Sequence, residues 1–263
     1  MPKFTKILCI DVGGTYTKYC LVNINKPFSF SLEKKPTVTG RKFLSFIKSI
    51  VAKYSKNSFD CISIGFPGIV TEKGELKSQN INVKNISLTD ISSDKLTFAA
   101  NDIYCNALAQ VYKKKGKKSS IIVVIGTSVA MAFIYKDKII TGRNNIFGEI
   151  SDIGFELGML YLKNNNLTDF TFINNPSNPE YAKYFDKVFE LIKLISAIFA
   201  PDQIVFGGGV VFHHWNSEFR LKTKEGVRQL FPMYRPKVIF QQEKNFDNIK
   251  GISLLPSYVQ LQI

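Results

Sequence analysis

Two apolar runs joined by a short glycine-bearing turn occur twice in this chain, and that repetition constrains the fold more than any other feature. The first is ILCIDVGGTYTKYCLV at 7–22. The second, SSIIVVIGTSVAMAFIYKDKIITG at 119–142, reads as a strand, a tight turn at Gly126-Thr127-Ser128, a strand, a short turn at Lys136-Asp137 and a third strand. A Walker loop needs Gly-x4-Gly-Lys-Ser/Thr and a Rossmann turn must open a helix, whereas Tyr19 to Val22 continues as a strand, so the first hairpin is neither. Its tip, Gly13, Gly14, Thr15 and Tyr16, has two readings. Glycines let the backbone take positive φ and bring N–H groups close to an anion, with the Thr15 and Thr17 hydroxyls as extra donors. Gly-Gly is equally the chemistry of an ordinary tight turn.

The pattern around each hairpin extends the repeat. After the first come a third strand near Phe28 to Leu32, a break at Pro36, and a helix that Thr39 caps, with Phe43, Phe46, Ile47, Ile50, Val51 and Tyr54 on one face. FDCISIGFPGIV is a buried strand ending in the turn Gly65-Phe66-Pro67-Gly68. A loop rich in Asn and Ser leads to the strand KLTFAAND, whose end carries Asn101 and Asp102 into the helix IYCNALAQVY. After the second hairpin, helices are predicted at about 155–163 and at 180–199, where Tyr181, Tyr184, Phe185, Val188, Leu191, Ile192, Ile195 and Phe199 keep a core-facing stripe. Pro201 ends that helix and DQIVFGGGVV follows as a buried strand running into Gly207, Gly208 and Gly209. Pro256 predicts a short or kinked C-terminal helix. The chain therefore reads as two similar α/β halves, residues 1–115, to which 247–263 return, and 116–246.

At 263 residues and 45% hydrophobic the chain can bury a substantial core. Cys9, Cys20, Cys61 and Cys105 are scattered with no CxxC pair or disulfide-like spacing, which reads as reduced thiols in a cytosol. Neither a leader nor a membrane span is predicted, since no long apolar core precedes Asp11 and the best later run, LIKLISAIFA, is short and holds Lys193. The net charge of +14 invites a polyanion, but the lysines are dispersed, and the one dense run, KKKGKK at 113–118, reads as a solvated loop with no nucleic-acid-binding signature beside it.

Three glycine turns at strand ends suit one ligand gripped along its length: Gly13, Gly14 and Thr15 at one end of a phosphate chain, Gly126, Thr127 and Ser128 at the other, and Gly207 to Gly209 under a base or ribose. Asp11, beside the first turn, suits Mg²⁺ held through water, because that ion dehydrates reluctantly; its other role is to cap the turn.

DVGGTYTK, GFPGIV, NDIYCNAL, IGTSVAMA, FGEISD and PDQIVFGGGVV occur in an order and spacing that resembles the ROK family (repressors, open reading frames, sugar kinases) of the actin-like sugar-kinase superfamily. The resemblance covers nearly the whole chain. It implies two ribonuclease-H-like (actin-like ATPase) α/β domains with an interdomain cleft that closes on ATP and a hexose, most often glucose, in a cytoplasmic homodimer. It also implies Asp102 as catalytic base, Gly68, Asn101 and Glu149 as sugar contacts, the glycine turns with Thr17 as nucleotide segments, and Mg²⁺ at Asp11. The chemistry suits these residue types. A sugar hydroxyl is a poor nucleophile, so a carboxylate must accept its proton as the bond to phosphorus forms. Asn101 and Asp102 also have the composition of a plain helix N-cap.

The departures are specific. The family's GE-I-G-His and its Cys-rich zinc loop are replaced by GEISDIGFELGM, with Asp152 at the histidine position, so zinc is not predicted; Asp152 either accepts a sugar hydroxyl or caps. His213 and His214 read as surface. The family's GTGxGGG becomes GTSVAMA, placing Cβ atoms at Ala130 and Ala132 and a hydroxyl at Ser128, so the donor sits differently or binds more weakly. A related set of ROK enzymes takes inorganic polyphosphate as donor and also lacks the zinc loop; with the positive charge, that resemblance keeps polyphosphate open as donor. A silent sugar- or nucleotide-binding regulator is the alternative class. Family repressors carry a helix-turn-helix ahead of the first strand, where this sequence has only Met1 to Thr5, and a mere binder needs neither Asp11 nor Asp102. A pantothenate kinase, which shares the Asp-x-Gly-x-Thr opening, is disfavoured by NDIYCNAL and GFPGIV.

Overall fold

The structure is a computed structural model and describes residues 4–25, 30–56, 58–113, 119–142, 147–150, 154–230, 234–241 and 247–260. The chain divides into two units, Met1–Lys114 with Thr141–Ile146 and Phe246–Ile263, and Lys115–Ile140 with Phe147–Asn245.

In the first unit β1 (Lys6–Val12) and β2 (Tyr16–Asn23) form the predicted hairpin, with Cys9 opposite Cys20 and Asp11 opposite Lys18. The third strand, β3, is Glu33–Pro36 rather than Phe28 to Leu32, of which 28 and 29 lie outside the described residues. Glu33 fixes its position: the carboxylate accepts from Tyr54 Oη at 2.6 Å and Tyr19 Oη at 3.3 Å and pairs with Lys53. Pro36 is tolerated because it ends an edge strand. Thr39 makes no side-chain cap; it precedes a single 3-10 turn, and α1 (Phe43–Tyr54) begins after it, burying Phe43, Ile47 and Ile50.

β4 (Cys61–Phe66) is buried throughout, as a central parallel strand requires. The stretch predicted as an Asn- and Ser-rich loop is instead a second, three-stranded sheet of β5 (Ile69–Val70), β6 (Glu75–Ser78) and β7 (Val83–Ser87), followed by the short helix α2 (Leu88–Ile91). Its polar composition serves a turn and an irregularity: Asn82 takes φ of 51° in the turn before β7, and Asn85 takes the same φ within β7 where the β6–β7 register shifts, which asparagine tolerates, while Leu76, Ile81, Val83 and Ile91 are buried. β8 (Leu96–Asn101) and α3 (Asp102–Lys113) complete this run, giving the sheet order β3-β2-β1-β4-β8.

The second unit repeats the plan. β9 (Ser120–Ile125), β10 (Val129–Tyr135) and β11 (Lys138–Ile140) form the meander, with Lys136 and Asp137 at φ of 50° and 63° in its two-residue turn. The helix predicted from about 155 begins later, as α4 (Met159–Asn164). α5 (Pro179–Phe199) is the predicted long helix. Asn178 caps it by accepting from Glu180 N at 2.9 Å, and left-handed Ala200 ends it just before Pro201. β12 (Gln203–Gly207), α6 (Gly209–His213), α7 (Ser217–Leu230) and β13 (Lys237–Phe240) follow, and the sheet order is β11-β10-β9-β12-β13. Its core is aromatic, with Tyr161, Phe170, Phe172, Tyr184, Phe206, Trp215 and Phe219 in mutual contact.

The last helix, α8 (Asp247–Gln260), belongs to the first unit and packs along α3 and onto β1 and β4. It is not cut short at Pro256. A proline lacks the N–H that would bond the carbonyl four residues back, here Ile252 O. Buried Ser63 on β4 supplies the missing donor, its Oγ lying 2.6 Å from that oxygen. Close packing needs Gly251, because a Cβ there would run into the Cys105 carbonyl on α3. The four cysteines, scattered in sequence, all lie buried in the core that this packing closes, with Phe4, Ile7, Ile249 and Ile252. Among the described residues no helix is long and apolar enough to cross a membrane.

Candidate functional site

The first unit aligns its polar residues by register. β1, β4 and β8 run parallel, Asp11 beside Gly65, Gly65 beside Ala100 and Phe66 beside Asn101, so Asp11, the Gly65–Gly68 turn and Asn101-Asp102 all leave the carboxyl ends of neighbouring strands. That edge is where open α/β sheets bind ligands.

Asp11 is 7% exposed. Its Oδ1 accepts from Asn248 Nδ2 at 3.4 Å, and Asn248 Oδ1 in turn accepts from Asn106 Nδ2 at 3.0 Å. Burial pushes the Asp11 carboxyl above its ordinary range, with the Lys18 charge and the Asn248 bond pulling it back. Beyond it the hairpin tip is tight: Gly13 N donates to Tyr16 O at 3.0 Å, and a Cβ on Gly13 would lie 2.8 Å from that oxygen. Gly14 and Thr15 are exposed at the tip. Thr17 is different. It is fully buried and its hydroxyl pairs with Thr37 Oγ1 at 3.0 Å, while Thr37 Oγ1 donates to Gly13 O at 2.7 Å, so Thr17 braces the turn from beneath.

Asn101 uses both ends of its amide on backbone. Nδ2 donates to Gly68 O at 2.9 Å and Oδ1 accepts from Ile103 N at 2.9 Å, so it caps α3 and pins the GFPG turn to that cap. Ser78 Oγ holds the same turn through Pro67 O at 2.6 Å. Asp102 is half-buried at the first position of α3, where the helix N-terminus favours an anionic side chain. The thiol of Cys105, buried on the same helix, is raised by burial first and then by the charges of both Asp102 and Asp11, which puts the two carboxylates in one electrostatic neighbourhood.

In the second unit the two glycine turns converge. Gly207 lies beside Val124 in the parallel β9–β12 register, and the turn Gly126-Thr127-Ser128 leaves β9 two residues later, at the same sheet end. Gly208 has φ of 96°, and a Cβ there would overlap the backbone of Ile125. The turn at 126–128 is held by α4: Met159 N donates to Gly126 O at 2.9 Å and Leu160 N to Thr127 O at 3.1 Å. Gly158 permits the contact, since its Cβ would meet all three turn carbonyls. Glu149, half-buried, follows Gly148, which has φ of 93° and whose carbonyl accepts from Met131 N at 2.8 Å.

Asp11, Gly13, Gly14, Thr15, Gly68, Asn101 and Asp102 thus gather in the first unit, and Gly126, Thr127, Ser128, Glu149 and Gly207 to Gly209 belong to the second. Asp152 and the lysines at 114–118 lie outside the described residues. Sequence reasoning missed Asn248, Asn106 and Thr37. Asn106 stood within NDIYCNAL, the motif that drew attention to Asn101 and Asp102; isolated Asn248 and Thr37 carry no periodic signal.

A sequence model of the ROK family matches residues 7–157. N-acetyl-D-glucosamine kinase of Vibrio vulnificus is 28% identical over 167 residues, covering 56% of this chain and 54% of that protein, so the chain spans about half the length of the curated relatives it matches. Among solved structures, a ROK hexokinase from Thermus thermophilus superposes with a TM-score of 0.75 at 15% identity, covering 98% of this chain and 99% of the other. A ROK glucokinase from Streptomyces griseus in complex with glucose and AMPPNP gives 0.70 at 15% identity, covering 96% and 99%. These likenesses extend the shared fold over nearly the whole chain. With more than half of the sequence matched by the family model, the chain belongs to the ROK family.

Proposed function

We propose that this protein is a sugar kinase that transfers the γ-phosphoryl group of ATP to a hydroxyl of a hexose or N-acetylhexosamine. The observation that carries the proposal is the alignment of Asp102, Asn101, the Gly68 turn and buried Asp11 at the carboxyl ends of three adjacent parallel strands. The names of the relatives add the substrate class: N-acetylglucosamine for the curated kinases and glucose with an ATP analogue for a structural neighbour.

In this reading Asp102 accepts the proton of the acceptor hydroxyl as its oxygen forms the bond to the γ-phosphorus and the bond to the β,γ-bridging oxygen breaks, releasing ADP. Asn101 holds Asp102 in place by capping α3 and, through Gly68 O, fixes the turn beside the sugar. Glu149 serves a sugar hydroxyl, and so does Asp152. Gly13, Gly14 and Thr15 offer backbone N–H groups to the phosphate chain; Gly126, Thr127 and Ser128 hold its other segment, and Gly207 to Gly209 leave room for the nucleoside. Ser128 contributes a hydroxyl where the family carries glycine. Most of the rate comes from holding the hydroxyl in line and keeping water from competing.

Asp11 fits magnesium as one hard oxygen donor at the strand end. Among the described residues no three His, Cys, Asp or Glu side chains are arranged around a common metal position; Asp11 would hold the ion with water and phosphate oxygens as its other donors. The ion, when bound, supplies charge neutralisation for the phosphate chain.

A coupled assay crossing glucose, N-acetylglucosamine, N-acetylmannosamine, mannose, fructose and allose with ATP and with inorganic polyphosphate tests the proposal. ADP-linked product with at least one sugar is expected. Product with polyphosphate alone would replace the donor, and sugar binding without product under any donor would make the chain a binder.

A further inference from the structure

Resting on that phosphoryl transfer, we propose that Asn248 is the positioning residue for Asp11 and that, with Asn106, it ties the carboxylate at the end of β1 to the helix that begins with Asp102. The bonds have a forced direction. An ionised carboxylate only accepts, so Asn248 must turn its NH₂ toward Asp11 Oδ1, at 3.4 Å, which leaves its carbonyl oxygen for the NH₂ of Asn106, at 3.0 Å. Asn106 sits one helical turn beyond Asp102 on α3, and its side chain is buried, with the residue 7% exposed. Three elements distant in sequence thereby meet in one line: β1 through Asp11, α8 through Asn248 and α3 through Asn106.

The fold is arranged to bring Asn248 there. α8 approaches α3 closely because Gly251 presents no Cβ to the Cys105 carbonyl, and it is held against β4 by Ser63. Asn248 stands three residues before Gly251, at the start of α8, so the close packing fixes the reach of its side chain. A shift of α3 that moves Asp102 also moves Asn106, and Asn248 passes the shift to Asp11. The donor-end and acceptor-end carboxylates are kept in register through one amide pair.

Calorimetric titration of the full chain tests this, using Mg²⁺ with AMPPNP, AMPPNP alone, and the sugar identified by the coupled assay. Asn248→Ala is expected to weaken Mg–AMPPNP affinity by about 10-fold or more, the size usual when the partner of a metal-facing carboxylate is lost. AMPPNP without magnesium, and sugar, should each change by less than about twofold, because Asn248 acts through Asp11 alone. Asn106→Ala should act in the same direction, and the double variant should bind no more weakly than Asn248→Ala, as expected of links in one chain. If Asn248→Ala does not fold, Asn248→Ser must give the same pattern. Equal losses for all three ligands, an additive double variant, or unchanged Mg–AMPPNP affinity would each overturn the positioning role. Wild-type protein that binds no Mg–AMPPNP would overturn ATP as the donor together with it, whereas binding by the wild type with unaltered variants would overturn the positioning role alone.

Discussion

The two units are one design built twice, and comparing them separates scaffold from chemistry. Both sheets place the first strand of the hairpin at the centre, antiparallel to the second and parallel to the fourth. Each also clamps that strand's start with an aspartate immediately before the fourth: Asp60 Oδ2 accepts from Thr5 N at 2.6 Å and Lys6 N at 2.8 Å, and Asp202 Oδ2 from Ser119 N at 2.7 Å. The carboxyl ends diverge. Where the first unit sets Asp11 beside Gly65, the second sets Val124 beside Gly207. Both ends carry glycine turns, but among the described residues only the first adds a buried carboxylate, Asp11, at the end of its central strand, held by the amide pair Asn248 and Asn106. Under the proposed function, the first end would handle proton and metal, and the second the nucleoside.

The largest stability effect should come from the glycine-built end. Gly208→Ala adds left-handed strain to overlap with the Ile125 backbone and should cost about 2–4 kcal/mol, whereas Gly209→Ala, whose Cβ would find only His213 Cδ2 at 4.0 Å, should be near neutral. Urea unfolding measures both; equal costs would show that close backbone approach is not what the second unit's end requires.

The next effect belongs to the first unit alone, which has a returning helix. Ser63→Ala should cost about 1–3 kcal/mol, because it leaves the Ile252 carbonyl buried without a donor. Pro256→Ala restores an N–H for that carbonyl, so the Ser63→Ala cost should shrink in the Pro256→Ala background. A double-mutant cycle with no coupling would refute the pairing of Ser63 with the proline gap.

Smaller still is the effect of erasing the charge that distinguishes the two ends. Burial raises the Asp11 pKa in the folded chain above its ordinary value of 3.8. The folded state therefore holds this proton more tightly than the unfolded state does. The stability linked to it is fully present below the ordinary value and is lost as pH rises through the folded pKa. Metal-free Asp11→Asn should melt above wild type at neutral pH, and the gap should close on acidification. A lower melting temperature at neutral pH would show that the buried charge stabilises the fold.

Much of this was legible from residues because hairpins and helices leave periodic marks. The first hairpin, its repeat and the stripe on α5 were read at nearly their observed positions, since each buries a long apolar set. α7 was missed because its buried face is Phe219, Thr223 and Val227, one of them polar, in an otherwise charged segment. The three-stranded sheet at 69–87 was hidden by asparagines that shape a turn and a register shift in it. β3 was expected a few residues early because a side-chain anchor, Glu33, places it rather than an apolar run. At the site, Asp11, Asn101, Asp102 and the glycines carried local motifs. Asn248 did not, because its partners lie 237 and 142 residues away and only the packing of α8 on α3 unites them. The thiol cluster was invisible for the same reason.

The central claim, that the first unit's strand ends carry the chemistry through Asp102, is tested most directly by Asp102→Asn, with sugar affinity and turnover measured on the same preparation. Sugar affinity within about twofold of wild type and turnover lower by about 10²- to 10⁴-fold is the predicted result, the range expected for loss of a general base. Turnover near the wild-type rate, with the sugar still bound, would contradict it.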